Sequence, residues 1–215
     1  VYALNKLYQR VPADKRDKIF EATMKEFTIH SYDKASTNQI IQDAGISKGL
    51  LFHYFKSKKE LYLATFDYSS QIFWDVYQPK LQNLPSDYFD RLVHLSRLKL
   101  EVCMEKPLVY SFIFSAYEDI QHRFPKEFDE VMKESVHIHM PVLFDGLDLS
   151  NFRTDIDQEK AMNFIYLSFE AMGKQMVKDA LRQPDKGLTE WDEKIKDVEL
   201  LVEVFRHGMY RRGEQ

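Results

Sequence analysis

The sequence predicts an all-α protein, and three observations carry that prediction. Apolar residues recur at helical rather than alternating spacing along almost the whole chain. The 215 residues hold only seven glycines and seven prolines, whereas an all-β chain needs a turn roughly every 8–12 residues. Serine stands three times in close succession ahead of an apolar-periodic run, at positions 36, 47 and 57, where helix N-caps belong.

The elements follow in order. Pro12 sits where a helix can begin, since the N–H it lacks would have no partner there, and Asp14 and Asp17 suit the positive end of the helix. Ile19, Ala22, Thr23, Glu26 and Phe27 continue at i, i+3, i+4 spacing and predict a first helix over 13–29. Ser36 with Gln39, and Ser57 with Glu60, have capping-box spacing. With Ser47 they predict helices over 37–44, 48–54 and 58–78. Further helices are expected over 86–105, 108–120, 126–144, 157–182 and 192–211. Their breaks are Pro79, Pro85, Pro107, Pro125, the turn from Gly146 to Asn151 and the loop from Gln183 to Gly187. Pro141 lies inside one segment and should kink or end it. No internal repeat or low-complexity tract interrupts the pattern. The expected division is 1–56 and 57–215, with the fourth helix as bridge.

Composition narrows the function classes. With 44% hydrophobic and 30% charged residues the chain is globular rather than disordered. No run of about 18 uncharged apolar residues suggests a membrane span, and no leader pattern opens the chain. Cys103, the single cysteine, has no partner for an internal disulfide, which suits a reducing compartment. The expectation is a cytoplasmic protein. Residues 1–60 hold 11 Lys and Arg against 7 Asp and Glu, whereas residues 61–215 hold 19 against 27. A basic end on an acidic body points the first segment at a polyanion. Nothing points to an enzyme: there is no GxGxxG, Walker loop or HExxH. Glu134, His137 and His139 hint at a metal, but the two histidines, two apart on a helix, face different sides. No catalytic residue, cofactor or metal is expected.

The function-bearing stretch is STNQIIQDAGISKGLLFHYF, residues 36–55. Two short helices meet at Ala44-Gly45-Ile46, where a sharp corner needs the permissive backbone of glycine. Ile40, Ala44, Ile46, Leu51 and Tyr54 stand where a shared core requires them. This is a helix-turn-helix over about 37–54, whose second helix would enter the DNA major groove with its N-terminal residues toward base edges.

Residues 13–66 resemble the DNA-binding domain of the TetR family of bacterial transcriptional regulators, above all in AGISKGLLFHYFKSKKEL. The family's usual form is alanine-glycine-valine-serine, a variable residue, glycine, then an aromatic-rich end and a lysine. Ile41 departs from it, standing where the family mostly has alanine. The resemblance covers about a quarter of the chain and implies phosphate contacts from His53, Tyr54 and Lys58. Chemistry and position add the rest. Lys48 can reach phosphate or guanine acceptors, Gly49 lets the backbone approach DNA, and Leu50 can meet a thymine methyl while Leu51 packs inward. Thr37 and Ser47 sit at helix N-termini, which welcome phosphate. As plain structure, the serines are caps, and Phe52 and Phe55 are core residues more readily than DNA contacts.

One helix-turn-helix reads few base pairs, so a homodimer on half-sites about 34–36 Å apart is expected. Ile165, Phe169, Met172 and Met176 on one helix, with Val198, Leu201, Val202, Phe205 and Met209 on the next, form stripes for a dimer interface. The same stripes could instead face the chain's own core. The resemblance also implies a small-molecule effector, apolar or aromatic, in the helical body. Phe73, Trp74, Tyr77, Tyr110, Phe114, Tyr117 and Phe169 are candidates to line its pocket, ordinary core packing being the alternative. The expected whole is a repressor that a ligand releases from operator DNA. A binding module of the same shape without a DNA function is the rival reading, and activation instead of repression is left open.

Overall fold

The computed structural model describes residues 7–182 and 191–210. Within these the chain is helical, with one isolated antiparallel bridge between Phe152 and Tyr210. A 3-10 turn, Leu7–Arg10, precedes α1 (Ala13–Lys34), α2 (Thr37–Ala44), α3 (Lys48–Tyr54) and α4 (Lys58–Tyr77). Then come a short 3-10 turn (Gln78–Lys80), α5 (Tyr88–Glu105), α6 (Pro107–Arg123), α7 (Pro125–Phe144), α8 (Gln158–Arg182) and α9 (Trp191–Met209). The fold class is the expected one, and the boundaries of α2 and α3 fall where the serine caps put them. The loop from Gln183 to Gly187 lies outside the described residues, as do the side chains of Glu134, His137, His139 and Met176.

Two departures have local causes. α1 runs five residues past its expected end because the chain recovers helical geometry after one non-helical residue, Ser31 (φ 55°, ψ 171°). α7 keeps Pro141 inside it and stops one turn later at Phe144. A proline near a helix end forfeits little, since the bonds it would interrupt are about to end anyway.

The described chain forms two compact units. The first comprises Val1–Pro79 and Glu105–His139, the second Lys80–Met104 and Met140–Gln215. The expected division at 56/57 falls inside the first unit, because α4 packs with α1, α6 and the first 3-10 turn, and α6 packs with α1. In that unit Ile19, Phe20, Phe27, Ile40, Leu51, Phe55, Leu61 and Phe112 form one buried cluster. The turn at Leu7–Arg10 is stitched to α4: Tyr8 is buried with its ring 5.6 Å from Tyr68, and Arg10 pairs with Glu60 at 3.2 Å.

The second unit is built on aromatic packing around α5. Tyr88, Phe89 and Phe152 are fully buried, with ring centroids 5.4–6.1 Å apart. The Tyr88 hydroxyl donates to the Met162 carbonyl at 2.7 Å. Arg91 is buried, yet its guanidinium donates to the carbonyls of Pro85 (2.7 Å) and Asp145 (2.6 Å), so the charge is not left bare. Burial draws its pKa below the usual arginine value.

Candidate nucleic-acid interface

The corner between α2 and α3 is held by local chemistry. The Ser36 hydroxyl accepts from the Gln39 N–H at 3.3 Å, but the reciprocal half of the capping box comes from elsewhere. Gln39 donates to Asp43 at 2.8 Å, while the buried Glu26 of α1 accepts from the Ser36 N–H at 2.6 Å. α1 therefore fixes the start of α2. Gly45 takes the left-handed conformation (φ 65°, ψ 36°) that ends α2, and the Ile46 N–H returns to the Ile41 carbonyl at 3.1 Å. Ser47 then caps α3, accepting from the Leu50 N–H at 3.2 Å. Ser57 caps α4 through the Glu60 N–H at 3.2 Å, and Glu60 accepts from the Lys56 N–H at 3.0 Å.

α3 then divides cleanly. Leu51 and Tyr54 are buried, as is Phe55 just beyond, and they hold the helix in the buried cluster of the first unit. Lys48, Gly49, Phe52 and His53 are exposed and, being spaced by four and five, share the opposite face. No atom lies within 4 Å of where a Gly49 Cβ would stand. Its bareness therefore serves no packing need inside the chain.

The expected DNA-contact residues do not all fall on this face. Lys48, Gly49 and His53 do. Ser47 is exposed beside it, with its hydroxyl engaged as cap, and Thr37 is half-buried at the start of α2. Leu50, expected to be free for a thymine methyl, is half-buried and packs against the core. Tyr54 is buried, with its ring edge-on to Phe55 at 6.4 Å. The Lys58 ammonium donates to the carbonyls of Ala35 (2.6 Å) and Asp33 (3.2 Å) and lies 5.2 Å from the Tyr32 ring centre. It neutralises the carbonyl end of α1 instead of reaching outward. Phe52, read from sequence as core, is 38% exposed on the outward face. The signal that separates it from Phe55 is phase: Leu51 and Tyr54 already take the inward positions of a two-turn helix.

The expected effector residues scatter. Phe73 stacks on Tyr77 at 5.4 Å and lies 6.3 Å from Tyr110, Trp74 and Tyr77 are buried, and Tyr117 packs edge-on against Phe128. Phe114 is half-buried. All six belong to the first unit, whereas Phe169 belongs to the second, 6.5 Å from Phe205.

The expected dimer stripes are largely covered within the chain. Ile165, Phe169, Val198, Val202 and Met209 are buried inside the chain itself, and Met172, Leu201 and Phe205 are half-buried. The five buried residues pack within the second unit itself. The exposed apolar residues stand next in sequence: Phe164 and Leu167 on α8, Leu200 and Val204 on α9, each 59–69% exposed.

Relatives match this arrangement. Residues 19–65 match the profile described as "Bacterial regulatory proteins, tetR family". A 53-residue stretch is 34% identical to the HTH-type transcriptional repressor AcnR of Corynebacterium efficiens, covering 25% of this chain and 28% of that relative. The chain thus matches less than a third of that curated relative's length. In fold, the chain is similar to a TetR family transcriptional regulator from Chloroflexus aurantiacus (TM-score 0.65, 22% identity, 95% of this chain and 97% of that one). It is also similar to the regulator FadR from Bacillus subtilis, solved in complex with stearoyl-CoA (TM-score 0.62, 14% identity, 86% and 96%). Residues 19–65 thus match the tetR family in sequence, and the chain as a whole is similar in fold to TetR family regulators.

Proposed function

We propose that the chain is a sequence-specific, DNA-binding transcriptional regulator that acts as a homodimer, a repressor released from operator DNA by a small apolar or aromatic molecule. The observation that carries this reading is the outward face of α3. Lys48, Gly49, Phe52 and His53 are exposed on a helix capped at its start and anchored by Leu51 and Tyr54. A rigid helix with a cation and a bare glycine at its leading end suits major-groove insertion. The reading of Lys48 as a base or phosphate contact rests on that placement.

Dimerisation is supported by the apolar side chains that α8 and α9 leave uncovered. Phe164 and Leu167 are three apart and Leu200 and Val204 four apart, so each pair lies along one helix face. Four large apolar side chains exposed on neighbouring helices are more than a lone chain needs to show to water. They support a dimer interface on Phe164, Leu167, Leu200 and Val204.

Release follows from how the head is built. α6 packs on both α1 and α4, and Arg123 at its end holds both carboxylate oxygens of Asp33 at 3.0 and 2.8 Å, close to where α1 gives way to α2. A ligand that shifts α6 therefore pulls on the element that positions α2 through Glu26 and Ser36. A coupling of about 3 kcal/mol would weaken DNA binding roughly 150-fold. The name of AcnR supports the repressor sign, and the stearoyl-CoA complex of FadR supports an apolar effector.

The test selects duplexes from a random library and measures affinity by fluorescence anisotropy across salt concentrations. The expected result is binding to the selected duplex at least about 10³-fold tighter than to random DNA, falling steeply with salt. Equal affinity for every duplex would overturn sequence specificity.

A further inference from the structure

Between α1, α4 and α6 in the first unit lies a cleft of about 350 Å³ whose lining includes none of the expected effector residues. The volume sits at the small end of the roughly 300–1,000 Å³ range of ligand clefts. Its walls are aromatic. Phe27, Tyr32 and Tyr62 meet with ring centroids 4.6–6.1 Å apart. Its rim is acidic, formed by Glu118 and Asp119 of α6.

The two carboxylates differ. Asp119 is already engaged, since Arg123 donates to it at 3.2 Å and the Tyr62 phenol is hydrogen-bonded to it. Asp33 likewise belongs to Arg123. Glu118 makes no ion pair among the described residues and brings an unspent negative charge to the lining. The positive groups close by, Arg123 and Lys58, are held by carboxylates and carbonyls respectively, and both lie over the Tyr32 ring, at 4.9 and 5.2 Å. His122 is the remaining titratable side chain in the lining.

Two further features are costly unless the cleft is used. The Thr28 hydroxyl is buried with no hydrogen-bond partner. Ser31, also in the lining, takes a backbone conformation with φ 55° that side chains rarely adopt. Strain of this kind gathers where a ligand is clamped.

We propose that this cleft is a binding site for a compact organic cation, a protonated or quaternary amine carrying an apolar or aryl group. π faces attract such a charge, Glu118 supplies its counter-ion, and an amine that keeps an N–H also gives the Thr28 hydroxyl a donor. An anion would face Glu118, and a neutral apolar molecule would cover that carboxylate without compensating it. The site is additional to the effector pocket of the preceding reading, and its binding does not depend on DNA recognition.

Calorimetric titration of the full chain with benzyltrimethylammonium, benzyl alcohol and benzoate tests it. The expected result is one saturable site per chain for the cation, at least tenfold weaker binding of the alcohol, and none of the benzoate. Glu118→Gln should weaken the cation about fivefold without moving the melting temperature, since that side chain is exposed. Ser115→Lys, which tethers an ammonium in the same cleft, should abolish binding. Equal binding of all three probes, no saturable binding of the cation, or undiminished binding by both folded variants would overturn the proposal.

Discussion

The corner at Gly45 and the paired helices α8 and α9 carry comparable apolar patterns, yet only the first could be phased from sequence. In the corner each decision is local. A serine hydroxyl caps the amide three residues on, a glycine supplies one left-handed residue, and a two-turn helix leaves room for just one inward stripe. In α8 apolar residues occupy 161, 162, 164, 165, 167, 169, 171, 172, 176, 177, 180 and 181, wide enough for two stripes. Which stripe faces inward is settled by what α5 and α9 offer it. Local signals fix geometry; a broad apolar surface fixes only that something must cover it.

Neighbouring residues on α8 can break this comparison most decisively. Ile165 is 2% exposed and Phe164 69%. Ile165→Asp should cost at least about 4 kcal/mol, because it buries a carboxylate where a well-packed methyl group stood. Denaturant unfolding of the second unit would register it. Phe164→Asp should leave the single chain's stability within about 0.5 kcal/mol while shifting sedimentation toward monomer. If Phe164→Asp unfolds the chain or Ile165→Asp does not, the phase assigned to α8 is wrong.

The two glycines of the corner should respond with opposite sign. Gly45→Val forces a β-branched residue to φ 65°, although space is open around it. A loss of about 1–3 kcal/mol is expected from backbone strain alone. Gly49→Ala meets no neighbour and sits in ordinary helical geometry, so it should raise thermal stability by up to about 1 kcal/mol. Operator affinity should nevertheless fall if the backbone there approaches DNA. A gain in both would remove Gly49 from the interface.

Lys48→Ala and Phe52→Ala should change stability little, both side chains being exposed. They should alter which duplexes are preferred, by about 1–3 kcal/mol at the affected base pair. Selection of binding sites from a random library by each variant measures this. Unchanged preference in both would show that the outward face of α3 does not read sequence.

Much of the head was legible because its signals are short-range: Ser36, Ser47 and Ser57 each cap the predicted helix, and Leu51 packs inward as its phase requires. What escaped was long-range. Glu26 completes the cap of α2 from ten residues away, and nothing in the stretch 36–55 announces it. The aromatic cleft joins Phe27, Tyr62 and Glu118, which no spacing rule connects. Phe52 and Phe55 are the same residue type three apart, and only the end of α3 at Tyr54 sends one outward and the other into the core.

Lys58 separates the two kinds of signal most finely. Its place in the motif suggests a phosphate contact, whereas its ammonium is bonded to the carbonyls of Asp33 and Ala35. A phosphate contact and a helix cap leave different traces. If Lys58 neutralises a phosphate, Lys58→Ala lowers the slope of log affinity against log salt by about 0.9 per chain, with stability untouched. If it caps α1, the variant loses about 1 kcal/mol of stability, as a cation at a helix C-terminus contributes, and the slope stays. The geometry favours the second outcome, with a weaker effect on DNA passed through α2. Because both quantities come from the same purified variant, one thermal melt and one salt titration decide between them.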